Sequence, residues 1–321
     1  MVRRLAWLLA LSACGGVANP EPAPRPPVAL APEVAAGAPI AAAPLARPAH
    51  RMGRDEAERY VVALLNRDRA VEGRGPLRWD AIAARAARAH ADDLAAHGFT
   101  AHVGTDGSVP EQRYTAAGGA GLVMENAACY ADAKDRPLDL APTFDAASIE
   151  ALEAAFVDEK PPADGHRQNI LLAQHNAVGV ALVQTRGLDR PCLVQELVDD
   201  YGVYLAVPRR ARVGATLRVA GELRAPAEVG GVAISRVDVR GPASARELGG
   251  TGSYVIPKPF ASYFPRGWKT PKVLDVQGRT FSIDVPLSDG GRPGLYGVSV
   301  WAILPGSPAL VLVSLRTISV E

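Results

Sequence analysis

Glu159 is the carboxylate of this chain whose position asks most for a chemical explanation. The segment that opens at Ser148 carries Ile149, Leu152 and Phe156 on one face at helical spacing and is stopped by Pro161 and Pro162. Seven residues make nearly two helical turns, so Glu159 falls about 20° from Leu152, on the apolar face. A carboxylate turned inward needs a partner, because burying an unpaired charge is unfavourable. An imidazole is a fitting one, by direct hydrogen bond or through a shared metal. The chain has six histidines; His50, His97 and His175 read as surface or core filler, and His90 as a packing residue on a predicted helix. Other reactive arrangements are missing from the sequence. There is no Gly-x-Ser-x-Gly elbow, no His-Glu-x-x-His helix, no CxxC pair and no recognisable Cys/His catalytic context.

The cysteines instead suggest export and cross-linking. Met1 to Cys14 has Arg3 and Arg4, a short apolar run from Leu5 to Leu11, and then Ser12-Ala13-Cys14, in the manner of a secretion signal. The run is about half of the ~20 apolar residues that a membrane-spanning helix needs. Leu11-Ser12-Ala13-Cys14 resembles a bacterial lipobox, which predicts lipidation at Cys14; an ordinary signal peptide is the alternative. Gly15 in the next position favours the outer membrane of a Gram-negative cell, and contact with a membrane is expected only through this anchor. With Cys14 used in this way, Cys129 and Cys192 remain as an even pair in an oxidising compartment. A disulfide between them would close a loop of about 60 residues and contribute about 4 kcal/mol; two buried thiols are the alternative. Residues 15–52 are rich in Ala and Pro and predict a semi-rigid tether.

What remains is long enough for two folded domains. The 321 residues are 48% hydrophobic and 21% charged, which rules out global disorder. With 35 basic and 34 acidic residues, the chain has no clustered positive field to recruit nucleic acid. Over residues 53–205, a helix is predicted from Asp55 to Val71, with Asp55 and Glu58 placed as in a capping box. A second helix is capped by Asp80 and ends at His97-Gly98, the third opens at Ser148, and Ala177 to Gln184 with Cys192 to Val198 read as a strand pair. Helices on a small sheet are the expected pattern.

Ordered blocks in this region carry a family resemblance. They are Asn66-Arg67-Asp68-Arg69, Leu77-Arg78-Trp79-Asp80, Ala89-His90-Ala91-Asp92-Asp93-Leu94, Phe99-Thr100-Ala101-His102, Glu125-Asn126, and Gly165-His166-Arg167-Gln168-Asn169-Ile170-Leu171. Their succession resembles the CAP superfamily, the cysteine-rich secretory protein, antigen 5 and pathogenesis-related 1 proteins, known in bacteria as SCP-like extracellular proteins. The resemblance implies an α-β-α sandwich with a central antiparallel sheet and an open cavity. It also implies a cavity set of two His and two acidic residues: His102, Glu125 and His166, with Glu159 as the fourth because Phe156-Val157-Asp158-Glu159 looks like the family's Trp-Val-x-Glu. Such a set would suit Zn²⁺ or another divalent cation, with Glu125 or Glu159 orienting the rings or acting on a bound water. Met124 stands where the family usually has Gly, and Pro161-Pro162-Ala163-Asp164 replaces a shorter link, so the cavity rim is expected to differ. Asn126 and Asn169 are expected to fix backbone turns.

Residues 206–321 change character. Thr216 to Leu223, Val232 to Val239, Ser253 to Ile256, Thr280 to Pro286, Tyr296 to Leu304 and Leu310 to Val320 read as strands. The closing strands resemble those of immunoglobulin-like sandwiches, and the whole chain is therefore expected to be α+β, a CAP domain followed by an all-β accessory domain. The loop from Pro257 to Pro271 is rich in aromatic residues, which could stack on sugar or peptide or form a small core of their own. Three functions follow as expectations. The first is a binding module that engages an envelope ligand or protein without turnover. The second is a metal-assisted hydrolase, and the third a carrier of lipid or sterol.

Overall fold

The computed structural model describes residues 45–249, 251 and 254–321. The expectations for Cys14, the signal segment and most of the tether lie outside the described residues. A two-residue strand β1 (Met52–Gly53) leads into helix α1 (Arg54–Val71). Its N-cap is Gly53 with no side-chain cap, so the expected capping box at Asp55 and Glu58 is not formed. Glu58 is instead drawn inward, where it pairs with Arg88 and accepts from the Leu182 amide at 3.1 Å. After β2 (Arg78–Trp79) comes α2 (Ala81–His97). Asp80 caps it as expected, accepting from the amides of Ile82 and Ala83 at 2.8 and 3.0 Å, and Gly98 ends it in the left-handed conformation that favours glycine.

Next follow α3 (Pro110–Ala116), β3 (Leu122–Ala128), β4 (Thr143–Phe144), α4 (Ala146–Val157), α5 (Gly165–Leu171), β5 (Ala177–Val183) and β6 (Cys192–Asp199). Helix α4 starts two residues before Ser148, because Asp145 is the cap and accepts from the Ser148 amide at 2.8 Å. The helix also stops at Val157. Glu159 therefore lies beyond it, and helical periodicity does not govern its direction.

The central sheet has the order β2-β5-β6-β3. Its three long strands are antiparallel, whereas the short β2 runs parallel to β5, a departure from the expected wholly antiparallel sheet. Strand alternation sends Val178, Val180, Leu182, Leu193 and Leu197 to one face, where they meet Leu64, Leu65, Ile149, Phe156 and Ile170 from α1, α4 and α5. The opposite face carries Ala177, Ala181, Val194 and Val198, which pack under α2 and α3. The result is three layers, helix on sheet on helix. Gly179 is required here because a Cβ would fall 2.0 Å from the Ala84 amide nitrogen of α2.

The carboxy-terminal part is built from β7 (Gly202–Tyr204), β8 (Arg210–Ala211), β9 (Thr216–Leu223), β10 (Glu228–Val237), the one-turn helix α6 (Ala245–Leu248), β11 (Pro259–Tyr263), β12 (Asp275–Gln277), β13 (Thr280–Pro286), β14 (Gly294–Ile303) and β15 (Val311–Val320). They form a five-stranded sheet, β11-β10-β14-β15-β8, and a four-stranded one, β12-β13-β9-β7. Val219, Phe281 and Ile283 of the smaller sheet share a core with Val232, Ile234 and Val298 of the larger. Two expectations change. Of the strand expected over Ser253 to Ile256, Ser253 lies outside the described residues, Tyr254 makes a bridge, and Val255 and Ile256 are irregular. Part of the aromatic loop is a strand, β11, that pairs with β10.

The aromatic residues resolve toward a core of their own. Phe264 stacks on Trp268 with centroids 5.4 Å apart, and both pack in one cluster with Trp301, Leu312, Leu122 and Met124. Leu122 and Met124 belong to β3, the edge of the central sheet. That edge is also met by β15, whose Leu315 amide donates to the Gly121 carbonyl at 3.2 Å. Among the described residues no helix is long and apolar enough to cross a membrane.

Candidate functional site

Glu125 lies in the middle of β3, on the face covered by α2 and α3, with its side chain wholly buried. Its register partner on β6 is Glu196, so two carboxyl groups stand side by side across an antiparallel pair. Like charges in that position repel, and the surroundings decide which of the two ionises. Arg113, from α3, donates from Nη2 to Glu125 Oε2 at 2.7 Å, and His102 Nδ1 lies 2.9 Å from Glu125 Oε1.

Burial pushes Glu125 up, but the positive charges of His90 and Arg113 and the hydrogen bond from His102 outweigh it and hold the carboxyl well below the usual range. Arg113 is the cation that acts at neutral pH, because burial lowers the His90 imidazole to about 4 and leaves it uncharged there. Burial and the neighbouring Glu125 charge raise Glu196 well above the carboxylate range, so it keeps its proton. The surroundings thus favour the ionised form of Glu125 and the neutral form of Glu196.

His90 is more than the packing residue the sequence suggested. Its Nε2 donates to the Ala101 carbonyl at 2.8 Å and stands 3.5 Å from Glu125 Oε1. Arg113 also holds the loop before α3, donating to the carbonyls of His102 and Ser108, each at 3.0 Å. A cavity of about 380 Å³ opens between α2 and α3 beside this cluster, lined in part by His90, Asp93, Thr105, Gln112 and Arg113. It meets a second cavity, of about 590 Å³, at Asp106, Ser108 and Gln112, to which the carboxy-terminal part contributes Arg240, Tyr254 and Leu295.

Glu159 and His166 form a separate pair. Leaving α4, the chain turns back so that Glu159 Oε1 meets His166 Nδ1 at 2.6 Å, while Oε2 accepts the backbone amide of His166 at 2.8 Å. Phe156 lies against the imidazole, with ring centroids 4.5 Å apart. The partner expected for Glu159 is therefore present, although the chain turn and not the helix face brings it there. Asn126, next to Glu125 and on the opposite face of β3, donates to the His166 carbonyl at 3.3 Å and to Gln195 Oε1 at 3.1 Å. It accepts from Asn169 at 2.9 Å. Both asparagines thus link β3, α5 and β6 through buried polar contacts, rather than fixing the backbone turns expected of them. The same buried chain of polar groups continues through His175 to Asp199 on one side and through Gln195 to Glu153 on the other. Burial raises Glu153 to about 8.

The four sequence-predicted residues are thus brought together as two pairs, His102 with Glu125 and His166 with Glu159. Among the described residues, no group of three or more His, Cys, Asp and Glu side chains is placed to hold a metal ion. These residues do not form a closed protein cage for zinc. In each pair the glutamate holds the ring through Nδ1, and no hydrogen bond to Nε2 of either His102 or His166 is found among the described residues. The expected bond between Cys129 and Cys192 is present, joining the end of β3 to the start of β6. Sequence reasoning missed Arg113 and Glu196. Nothing in their spacing announces them, since each meets Glu125 only through sheet register or the return of α3.

Residues 62–197 match the model of the Cysteine-rich secretory protein family, CAP. No curated protein matches the chain. Among solved structures, an extracellular protein containing a SCP domain from Bacillus anthracis str. Ames is similar at 20% identity with a TM-score of 0.35. The alignment covers 46% of this chain and 41% of that one, less than half of the other protein's length.

Proposed function

Given that residues 62–197 form a domain of the cysteine-rich secretory protein family, we propose that this protein is an exported binding module of the bacterial envelope that works without turnover. The observation that carries this reading is the pair of carboxylate-backed imidazoles. A glutamate at Nδ1 fixes the ring's tautomer and orientation and leaves Nε2 as the nitrogen that can meet an electron-poor guest. In this reading His102 and His166 are the ligand-facing groups. Glu125 and Glu159 orient them, and Arg113 keeps Glu125 ionised. A divalent cation such as Zn²⁺ would meet one imidazole at each place and draw the rest of its shell from water or from a ligand it accompanies. The metal-assisted hydrolase would need a ligand set of three side chains, and none is placed for it among the described residues.

The rest of the molecule belongs to the same proposal. Export is supported by the Cys129–Cys192 bond and by the signal-like start of the chain. Lipid attachment at Cys14 and an outer-membrane address complete that reading. We take the division near residues 205/206 as a domain boundary, across which β7 reaches to join the second part, and the two carboxy-terminal sheets as an immunoglobulin-like accessory sandwich that engages an envelope partner. The experiment is a calorimetric titration of the full chain with Zn²⁺, alongside His102→Ala and His166→Ala. Heat of binding that falls in each variant while the fold is kept supports the reading. Equal heats in all three proteins contradict it, as does chelator-sensitive hydrolysis of envelope material.

A further inference from the structure

Arg316 is a buried cation that no carboxylate among the described residues meets. It lies on β15, opposite Val298 of β14, and shares its face of the strand with Ile318 and Val320, whose side chains fill the core between the two carboxy-terminal sheets. Only 2% of the residue is exposed. Its Nη1 donates to the Leu205 carbonyl at 2.6 Å, but Nε and Nη2 are buried without a hydrogen-bond partner among the described residues. The guanidinium sits over the ring of Tyr204 on β7, 5.0 Å from its centroid, and the Tyr204 hydroxyl is also buried and unpartnered. No ion pair among the described residues includes Arg316. Burial lowers its pKa to about 10, which still leaves it charged at neutral pH.

Arg69 shows how this chain otherwise treats a buried guanidinium. It is fully buried, yet all three of its nitrogens are used. Nε donates to Gly75, Nη1 to Ile170 and Leu172, and Nη2 to His175, each through a carbonyl oxygen. Arg316 has one such carbonyl. Leaving a charge and its N–H groups unsatisfied inside a sandwich is strongly unfavourable, and such groups in folded proteins are met by a buried water or an ion.

We propose that the unpartnered Nε–Nη2 edge of Arg316, with the Tyr204 hydroxyl, binds a small monovalent anion of the chloride class, which locks β7 onto β15. A spherical anion accepts from any direction, so it can take Nε–H, Nη2–H and the phenol O–H together while neutralising the single charge. The site lies where β7 joins the linker 205–209 to the sandwich, so the anion would set how firmly the two parts are joined.

The test is the thermal midpoint of the full chain at pH 7 in sodium chloride and in sodium gluconate at equal ionic strength. The expected result is a higher midpoint in chloride that climbs with each tenfold rise in concentration, because a ligand bound only by the folded state stabilises it by mass action. Arg316→Met should lose that difference and Tyr204→Phe should reduce it. If Arg316→Met does not fold, the wild-type comparison and Tyr204→Phe decide. Anomalous scattering from a crystal soaked in bromide should place an ion at the Nε–Nη2 edge of Arg316. Equal wild-type midpoints in the two salts would overturn the proposal and assign that edge to water, as would an unchanged difference in Arg316→Met.

Discussion

Arg113 sets the charge of the buried glutamate pair, and its removal should be felt more than that of any surface cation. With Arg113→Met, Glu125 loses its counterion while still buried beside Glu196. A loss of about 3–5 kcal/mol is expected in urea unfolding at pH 7, and a second change, Glu125→Gln, should restore part of it. Full additivity of the two changes would show that they do not interact. Glu153 behaves in the opposite sense. Its pKa in the folded protein, about 8, is above that of an ordinary carboxylate, so the folded state holds a proton that the unfolded state has released. Stability from this group is present below the ordinary carboxylate range and falls as pH rises toward about 8, by up to about 1.4 kcal/mol per pH unit. Glu153→Gln should flatten that decline; an unchanged pH profile would contradict the assignment. At this scale the sequence made His102, Glu125, Glu159 and His166 legible through their ordered blocks. It hid Glu196, whose meeting with Glu125 depends on strand register, and it gave Glu159 the right partner by a helical periodicity that ends at Val157.

The elements show where local signals suffice. Asp80 is an N-cap by residue type and position, and Asp80→Ala should weaken the fold by about 1 kcal/mol. The long strands β9 and β13 have the limits their alternation predicts, whereas the two- and three-residue strands β1, β2, β4, β7, β8 and β12 have no readable period and were not expected. Strand β3 was missed for a different reason. It is buried along nearly its whole length on both faces, and its Glu-Asn centre breaks the apolar pattern that marks a strand. Gly179 is the element-scale requirement least visible in the sequence. Its Cβ would meet backbone atoms of α2, so Gly179→Ala should force α2 away from the sheet and weaken the fold by about 1–3 kcal/mol or more. Retained stability in that variant, measured by the same urea unfolding, would mean that α2 can shift freely.

The whole molecule is held together by shared cores. Leu248, Leu295 and Tyr254 pack with Phe99, Val103 and Val109, and Tyr254 donates its hydroxyl to the buried Glu111. Ser314 bonds the Ala120 carbonyl at 2.5 Å, and the Ala243 amide bonds that of Thr105 at 2.9 Å. Calorimetry should therefore record a single unfolding transition, and two well-separated ones would contradict the coupling. The sequence announced the change from helical to strand pattern near residue 206, but no periodicity reveals that the second part caps the edge of the first.

In the proposed reading the half-buried His102 and His166 meet the cation, whereas the fully buried His90 and His175 are held by their neighbours. The direct measurement is a histidine-resolved NMR titration of the full chain with Zn²⁺ at neutral pH. The ring signals of His102 and His166 should move and those of His90 and His175 should stay in place. Unmoved His102 and His166 signals, or equal movement of His90 and His175, would contradict the account.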